Sequence, residues 1–599
     1  MGTIRLLGPP SIHRDGSTVR PPRGRKAWAL LAYLLLADRP PSRRRLAELL
    51  FADAEDPLGA LRWTLAELRR ALEVPEGLTG DPVVTVLGEA IAVDVLAIGA
   101  SADPEALLAF GGELLEGVEL ASCPDFEAWL QVERQLISAA IEARLREAAV
   151  GLVAAGQAKA AVPYASRAVA MNPLEQGNHE LLVRSLALAG DQAAARRQIA
   201  VCEDVLRREL GIEASAALRE ASTIGPGSSA GPLLGGRAAI SSQLEAGRAA
   251  IAAGAVDAGL QCLRRAVAEA EKCNDAALRG RALAALGGAL VHAVRGRDEE
   301  GAIVLHEAIL VADQAGDRAT SVIAHRELGF VEVQAGRRTT ADTWLSKATA
   351  LAGTDQEHAA ILGVRGMNSS DLADYATAFE QLGESVELAA RAGDHRQQAW
   401  SLSILGRAHL LRSELSQAAA VVRESLDLVR QERWIAFLPW PQALNAELEM
   451  YAGNLEAATD GFEQAWVLGC QLNDPCWEGI AGRGLGMLSA GQGDYATATE
   501  WLTQAATRSS REPDRYQWIH AHVLDALITI AIDQDEHDRA RPLVAQLAAL
   551  AARCDMRELV VRAMLHQATL GDGHAAASAR VLGADIDNPA LSELLRKTR

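Results

Sequence analysis

This 599-residue chain predicts a mainly α fold: small β elements near the N-terminus, then a helical-repeat domain and an α-solenoid. Three observations carry that reading. Ala and Leu dominate the 49% hydrophobic residues while aromatics make up only 4%, a balance that favours helix over sheet. Turn residues recur at a period near 40 through the C-terminal half, as stacked helix pairs require. Short β-like runs punctuated by Gly and Pro are confined to the first hundred residues.

The chain is too long for one core, and composition divides it at 1–98, 99–222, a linker at 223–242, and 243–599. Net charge is −19, with +5 over residues 1–75 and −24 over the rest. A basic head on an acidic body directs only the head to a polyanion. The seven cysteines are scattered without CxxC or zinc spacing and read as free thiols in a reducing compartment. No signal peptide opens the chain and no 18-residue apolar run occurs, so the expected location is cytoplasmic, with no membrane partner.

In the head, Thr3–Leu7 reads as a strand ended by Gly8-Pro9-Pro10, and a second strand ends at Thr18-Val19-Arg20 after the Asp15-Gly16 turn. Arg23-Gly24-Arg25-Lys26 leads into an Ala/Leu helix over Ala27–Ala37. Ser42 caps a second helix, Arg43–Phe51. Arginines 43, 44 and 45 in its first turn oppose the helix dipole, so phosphate oxygens are expected to offset them. Asp56 as N-cap and Pro57 at the first position start a third helix. Its apolar stripe is Leu58, Leu61, Leu65, Leu68 and Leu72, with Trp63 and Arg70 opposite and Arg62 and Arg69 on the flank. Val83–Leu87 and Ala90–Val95 around Gly88-Glu89 then read as a hairpin. Strands, three helices and a hairpin make a winged helix-turn-helix, its third helix in the recognition position. The expected DNA contacts are Arg25, Lys26, Arg43, Arg44, Arg45, Arg62, Trp63, Thr64, Arg69 and Arg70.

Four blocks carry a family resemblance: Arg5–Pro9, Arg25–Leu36, Ser42–Phe51 and Ala60–Leu72. With Leu114–Gly117, Phe126–Leu130 and Glu133-Arg134 they resemble SARP-type bacterial transcriptional activators, over roughly residues 1–222. The resemblance implies an OmpR-like winged helix, a bacterial transcriptional activator domain, binding to tandem direct repeats in promoter DNA, and contact with RNA polymerase. Two positions depart from the family pattern. Ala66-Glu67 replaces Ser-Arg, which puts an acid on the third helix, and Leu87-Gly88-Glu89-Ala90 replaces a basic wing.

Between residues 139 and 222, Ala155–Ala161 and Ala189–Ala195 repeat one helix–turn–helix junction 34 residues apart, a tetratricopeptide-like spacing. Thr223–Gly236 is a Gly/Ser/Pro linker. Its Gly227–Gly231 segment matches GxSxG but lacks the strand and helix of a nucleophile elbow. A flexible linker predicts that the acidic body is tethered to the head and competes with DNA for it.

Beyond the linker, inter-repeat turns fall at Asp275, Asp317, Asp355, Asp394, Glu432, Asp474, Asp514 and Asp555. Mid-repeat turns fall at Gly296, Gly336, Asp374, Ser413, Gly453, Gly493, Asp535 and Asp572. Eight helix pairs stacked this way form a solenoid with a concave groove. Trp434, Phe437 and Trp440, in an apolar run with Pro439 and Pro441, are the expected lining of a site for a protein, peptide or small-molecule ligand. No P-loop, HExxH or EF-hand pattern occurs, so neither a cofactor, a metal nor an enzymatic activity is expected. The sequence therefore predicts a DNA-binding transcriptional activator with a sensing body. The alternative is a repeat scaffold whose winged helix makes protein contacts.

Overall fold

The computed structural model describes residues 2–15, 17–37, 39–87, 91–100, 104–223, 236–252, 255–293, 297–511 and 516–597. The head is built from β1 (Gly2–Arg5), β2 (Ser11–Arg14), β3 (Ser17–Thr18), α1 (Arg25–Leu36), α2 (Arg43–Phe51), α3 (Pro57–Leu72) and β4 (Ile91–Val93). The sheet order is β3-β2-β1-β4; β1 pairs antiparallel with β2 and parallel with β4. This corrects the expected hairpin. Residues 91–93 join β1 rather than Val83–Leu87, whose sole pairing among the described residues is a Thr79–Val84 bridge. The reason is burial: Val93 sits opposite Ile4 in register and both side chains are in the core. The Asp94 carboxylate then locks the strand end by accepting from the Leu6 and Leu7 amides at 2.9–3.0 Å. The wing tip, residues 88–90, lies outside the described residues.

The next segment runs through α4 (Asp94–Ala100), α5 (Pro104–Ala109), α6 (Pro124–Ala154), α7 (Ala158–Met171), α8 (Gln176–Leu188), α9 (Gln192–Glu209) and α10 (Ala216–Glu220). The body then continues as helix pairs. These are α11 (Arg237–Ala252) with α12 (Val256–Lys272), α13 (Ala276–His292) with α14 (Asp298–Ala315), and α15 (Arg318–Gln334) with α16 (Arg338–Leu351). Then come α17 (Asp355–Asp371) with α18 (Tyr375–Ala392), α19 (His395–Leu411) with α20 (Leu415–Gln431), and α21 (Pro439–Tyr451) with α22 (Leu455–Leu472). The last are α23 (Pro475–Gly491) with α24 (Tyr495–Ser509), α25 (Gln517–Asp533) with α26 (His537–Arg553), and α27 (Arg557–Thr569) with α28 (Ala575–Gly583), before the terminal α29 (Pro589–Lys597). The chain is thus mainly α with an α-solenoid body.

The turns fall where the sequence places them because an Asp at a turn can cap the helix after it. Asp275, Asp317, Asp374, Asp394 and Asp474 each accept a hydrogen bond from an amide in the first turn of the next helix. Two expected turns, Gly296 and Asp514, and the GxSxG segment lie outside the described residues. One pair more than expected is present, because α11 starts at Arg237, inside the span assigned to the linker.

First helices of successive pairs contact one another along α13, α15, α17, α19, α21, α23, α25 and α27. They form the inner layer, and they are buried nearly all round: α25 keeps almost every side chain from Gln517 to Ala531 inside. Second helices such as α18 and α20 bury one stripe only. Small residues permit the close approach of the layers. A Cβ at Gly484 in α23 would overlap the Phe462 ring of α22.

The body is not simply tethered. The 31-residue α6 packs on α14 and α16 at one end of the solenoid and on α26 and α28 at the other. Arg146 of α6 is ion-paired with Glu299, and Arg553 with Glu142 of α6. Ser578 of α28 donates to Asp125 at 3.1 Å. The head docks on the same helix: Tyr33 meets Trp129 edge-on at 4.8 Å, and the Cys123 thiol donates to the Leu50 carbonyl at 3.4 Å. Helix α6 is therefore a spine shared by head and body. This corrects the picture of a body attached through a flexible linker alone.

Candidate nucleic-acid interface

Helix α3 starts as the sequence dictates: the Asp56 carboxylate accepts from the Gly59 amide and Pro57 occupies the first turn. Leu61, Leu65, Leu68 and Leu72 enter the core. Leu58 does not; it is 49% exposed, because the first turn of α3 projects beyond the core that the rest of the stripe fills. The outer face carries Leu58, Arg62, Trp63, Arg69 and Arg70, with Trp63 at 55% exposure and the Arg62 side chain at 66%. Neither head nor body covers this face among the described residues.

Two α3 residues lie elsewhere than expected. Thr64 is buried, its hydroxyl donating to the Ala60 carbonyl at 2.9 Å, so it is not part of the outer face. Glu67 is not an acid on that face either. It is 7% exposed, pairs with Arg70, and accepts from the Arg23 amide. Glu67 therefore ties α3 to the segment before α1 rather than repelling a polyanion.

The other basic candidates are partly engaged. Lys26 is 2.5 Å from Asp53 and Arg44 is 2.8 Å from Glu48. Arg25 reaches the Glu119 carbonyl at 3.4 Å. Arg43 donates to the Gly80 carbonyl, and Arg45 lines a small crevice with Tyr33, Trp129 and Ser578, where head, α6 and α28 meet. The three arginines at the start of α2 do not await phosphate for their dipole: Ser42 accepts from the Arg45 amide and the Asp81 carboxylate from the Arg43 amide. Sequence reasoning missed Asp81, which arrives from 38 residues away through a turn with no local signature. Arg62 has only a 3.6 Å contact with Asp56, and Arg69 has no carboxylate partner among the described residues.

In the solenoid, the residues expected to line a ligand site pack against other parts of the chain. Phe437 and Trp440 are buried, and the Trp440 indole donates to the Ser403 hydroxyl at 3.1 Å. Trp434 stacks on Phe437 at 4.5 Å. They pack helices together, with Phe437 and Trp440 turned away from solvent. Nor is the inner face an open groove, because distant repeats meet across it. Asp371 of α17 binds Arg338 at 2.9 Å and Arg407 at 2.7 Å, and Tyr516, before α25, donates to it at 2.8 Å. Tyr375 of α18 donates to Glu558 of α27 at 2.6 Å, and Asn588 bridges Glu558 and the Leu411 carbonyl. Gly336 (φ +78°) lies so close to Cys554 that a Cβ would overlap the sulfur. Burial raises the Tyr375 and Tyr516 hydroxyls well above the ordinary tyrosine value, so both stay protonated as donors. No local sequence signal marks these residues, because their helices also carry charged and polar residues that stay at the surface.

No group of three His, Cys, Asp or Glu side chains able to hold a metal exists among the described residues. No described helix is long and apolar enough to cross a membrane.

Residues 94–223 match the family model described as the bacterial transcriptional activator domain. The chain carries a bacterial transcriptional activator domain. In the structure this domain is α4 to α10, and its α6 is the spine that joins head to body. No curated protein matches the chain. Among solved structures, a Rap protein complexed with competence and sporulation factor is similar at 13% identity, covering 60% of this chain and 99% of its own, with a TM-score of 0.39. Mycobacterium tuberculosis EmbR in complex with a low-affinity phosphopeptide is similar at 18% identity, covering 37% and 64%, with a TM-score of 0.29.

Proposed function

We propose that this chain is a sequence-specific DNA-binding transcriptional regulator, an activator that places α3 in the major groove of promoter DNA and recruits RNA polymerase. The observation that supports this best is the open outer face of α3, with Arg62, Trp63 and Arg69 available, directly ahead of the activator domain. A helix of this kind, with its apolar stripe in a three-helix core, presents base-reading side chains while neighbouring cations hold phosphates. Arg62 and Trp63 are the base-reading residues in this reading; Arg69, Arg70 and Arg43 to Arg45 serve the backbone. The body, fixed through α6, holds the head in one orientation toward whatever the activator domain contacts.

The scaffold alternative draws on one observation: Lys26, Arg44 and Arg70 are already paired with the chain's own carboxylates. The full chain incubated with genomic fragments, with sequencing of those retained, separates the two. The regulator reading expects enrichment of a shared, repeated motif. It also expects affinity for that motif to fall about five-hundredfold between 50 and 200 mM salt if roughly five phosphates are contacted. Retention without a motif, or a flat salt response, supports the scaffold.

A further inference from the structure

The outer face of α3 carries more apolar surface than phosphate binding can use. Leu58 and Trp63 are five residues apart, about 140° around the helix, with Arg62 between them, and both are about half exposed. Neither contributes to the core that Leu61, Leu65, Leu68 and Leu72 form, and the Trp63 side chain has no ring contact or hydrogen bond among the described residues. Exposed Leu and Trp side chains forgo the gain that burial brings, so the fold does not account for them. Of the groups a DNA major groove presents, one is apolar: the thymine C5-methyl.

We infer that Leu58 and Trp63 read thymine methyl groups, so that the operator places T·A pairs under the N-terminal half of α3. The inference rests on the DNA-binding reading above and adds the chemistry of the bases chosen. Arg62, between the two apolar side chains on the helix surface, supplies the polar partner for an adjacent base edge or phosphate. The charge pattern agrees. Of the three α3 arginines, Arg70 is held closely by Glu67, and Arg62 and Arg69 stay available for polar groups beside the apolar pair. Protein recognition by the same two side chains is the competing use, and the test distinguishes it.

The test uses the full chain and the motif recovered from genomic fragments. Each thymine of the motif is replaced in turn by deoxyuridine, which removes the methyl group and keeps every hydrogen-bonding atom. Loss of about fourfold in affinity at one or two positions is expected, the worth of one methyl leaving an apolar contact. Trp63→Ala or Leu58→Ala should abolish the difference between thymine and deoxyuridine at the position each contacts. Because the change is in the DNA, the wild-type readout does not depend on how a variant folds. Equal affinity for every deoxyuridine duplex, with the motif still preferred, overturns the methyl reading and leaves the DNA-binding reading intact. Absence of any motif-specific binding overturns both.

Discussion

On the outer face of α3, Arg62 stands in solvent beside Trp63; on the inner face of the solenoid, Arg407 lies 4.3 Å from the Trp518 ring with its guanidinium fully enclosed. The same two residue types do opposite things. Arg62 has one long contact with a carboxylate. Arg407 has Asp371 at 2.7 Å and the Tyr516 hydroxyl at 2.6 Å. The difference comes from solvation. Water satisfies an exposed guanidinium, which leaves it available to a ligand, whereas a buried one must find its partners within the fold. An arginine that is spoken for by a buried carboxylate is architecture; one left to water is a means of recognition.

Three substitutions sharpen that contrast, the largest effect first. Asp371→Asn keeps the shape of the inner network but removes the anion facing Arg338 and Arg407, so about 3–5 kcal/mol of stability should be lost. Denaturant unfolding measures it, and a loss below about 1 kcal/mol would place the network with ordinary surface pairs. Arg62→Ala should do the reverse. Operator affinity falls by about 1–3 kcal/mol while unfolding changes by less than about 0.5 kcal/mol. An equal loss on random DNA would assign Arg62 to phosphate alone.

The third effect concerns proton binding inside the activator domain. Burial raises the Glu180 carboxyl to about 7, against hydrogen bonds from Gln176 and Ser215 and the attraction of Arg184 and Arg146. The native state therefore keeps a proton that the unfolded chain releases near its ordinary value of 4.5. Stability from this group is complete below pH 4.5 and declines until about pH 7, by at most about 1.4 kcal/mol per pH unit. Glu180→Gln removes the titration. Stability of the wild type minus that of the variant should fall between pH 5 and pH 7, and a constant difference would show that Glu180 titrates normally.

Local rules made much of this protein legible. Asp56, Pro57 and the leucine period are sufficient for α3, since capping and amphipathic burial act within a few residues. The repeat turns were legible for the same reason: Asp at a helix start caps that helix whatever it packs against. The face of α3 was legible only in part. The 3.6-residue period puts Trp63 outward and Leu65 inward, yet it places Leu58 with the core and Glu67 at the surface. In the structure Leu58 overshoots the core, and the Arg23 segment closes over Glu67.

Three features belong to the tertiary structure alone. One is the parallel pairing of β4 with β1, decided by which neighbour lets Val93 and the Asp94 carboxylate be satisfied. Another is α6, whose 31 residues read as one more helix until α14, α16, α26 and α28 are found on it. The last is the closed inner face, where Asp371, Arg407 and Tyr516 meet although Asp371 and Tyr516 are 145 residues apart. Periodicity determined which residues turn inward. Superhelix curvature determined what they meet there, because the small rotation between successive pairs accumulates over many repeats and no local stretch of sequence encodes the sum.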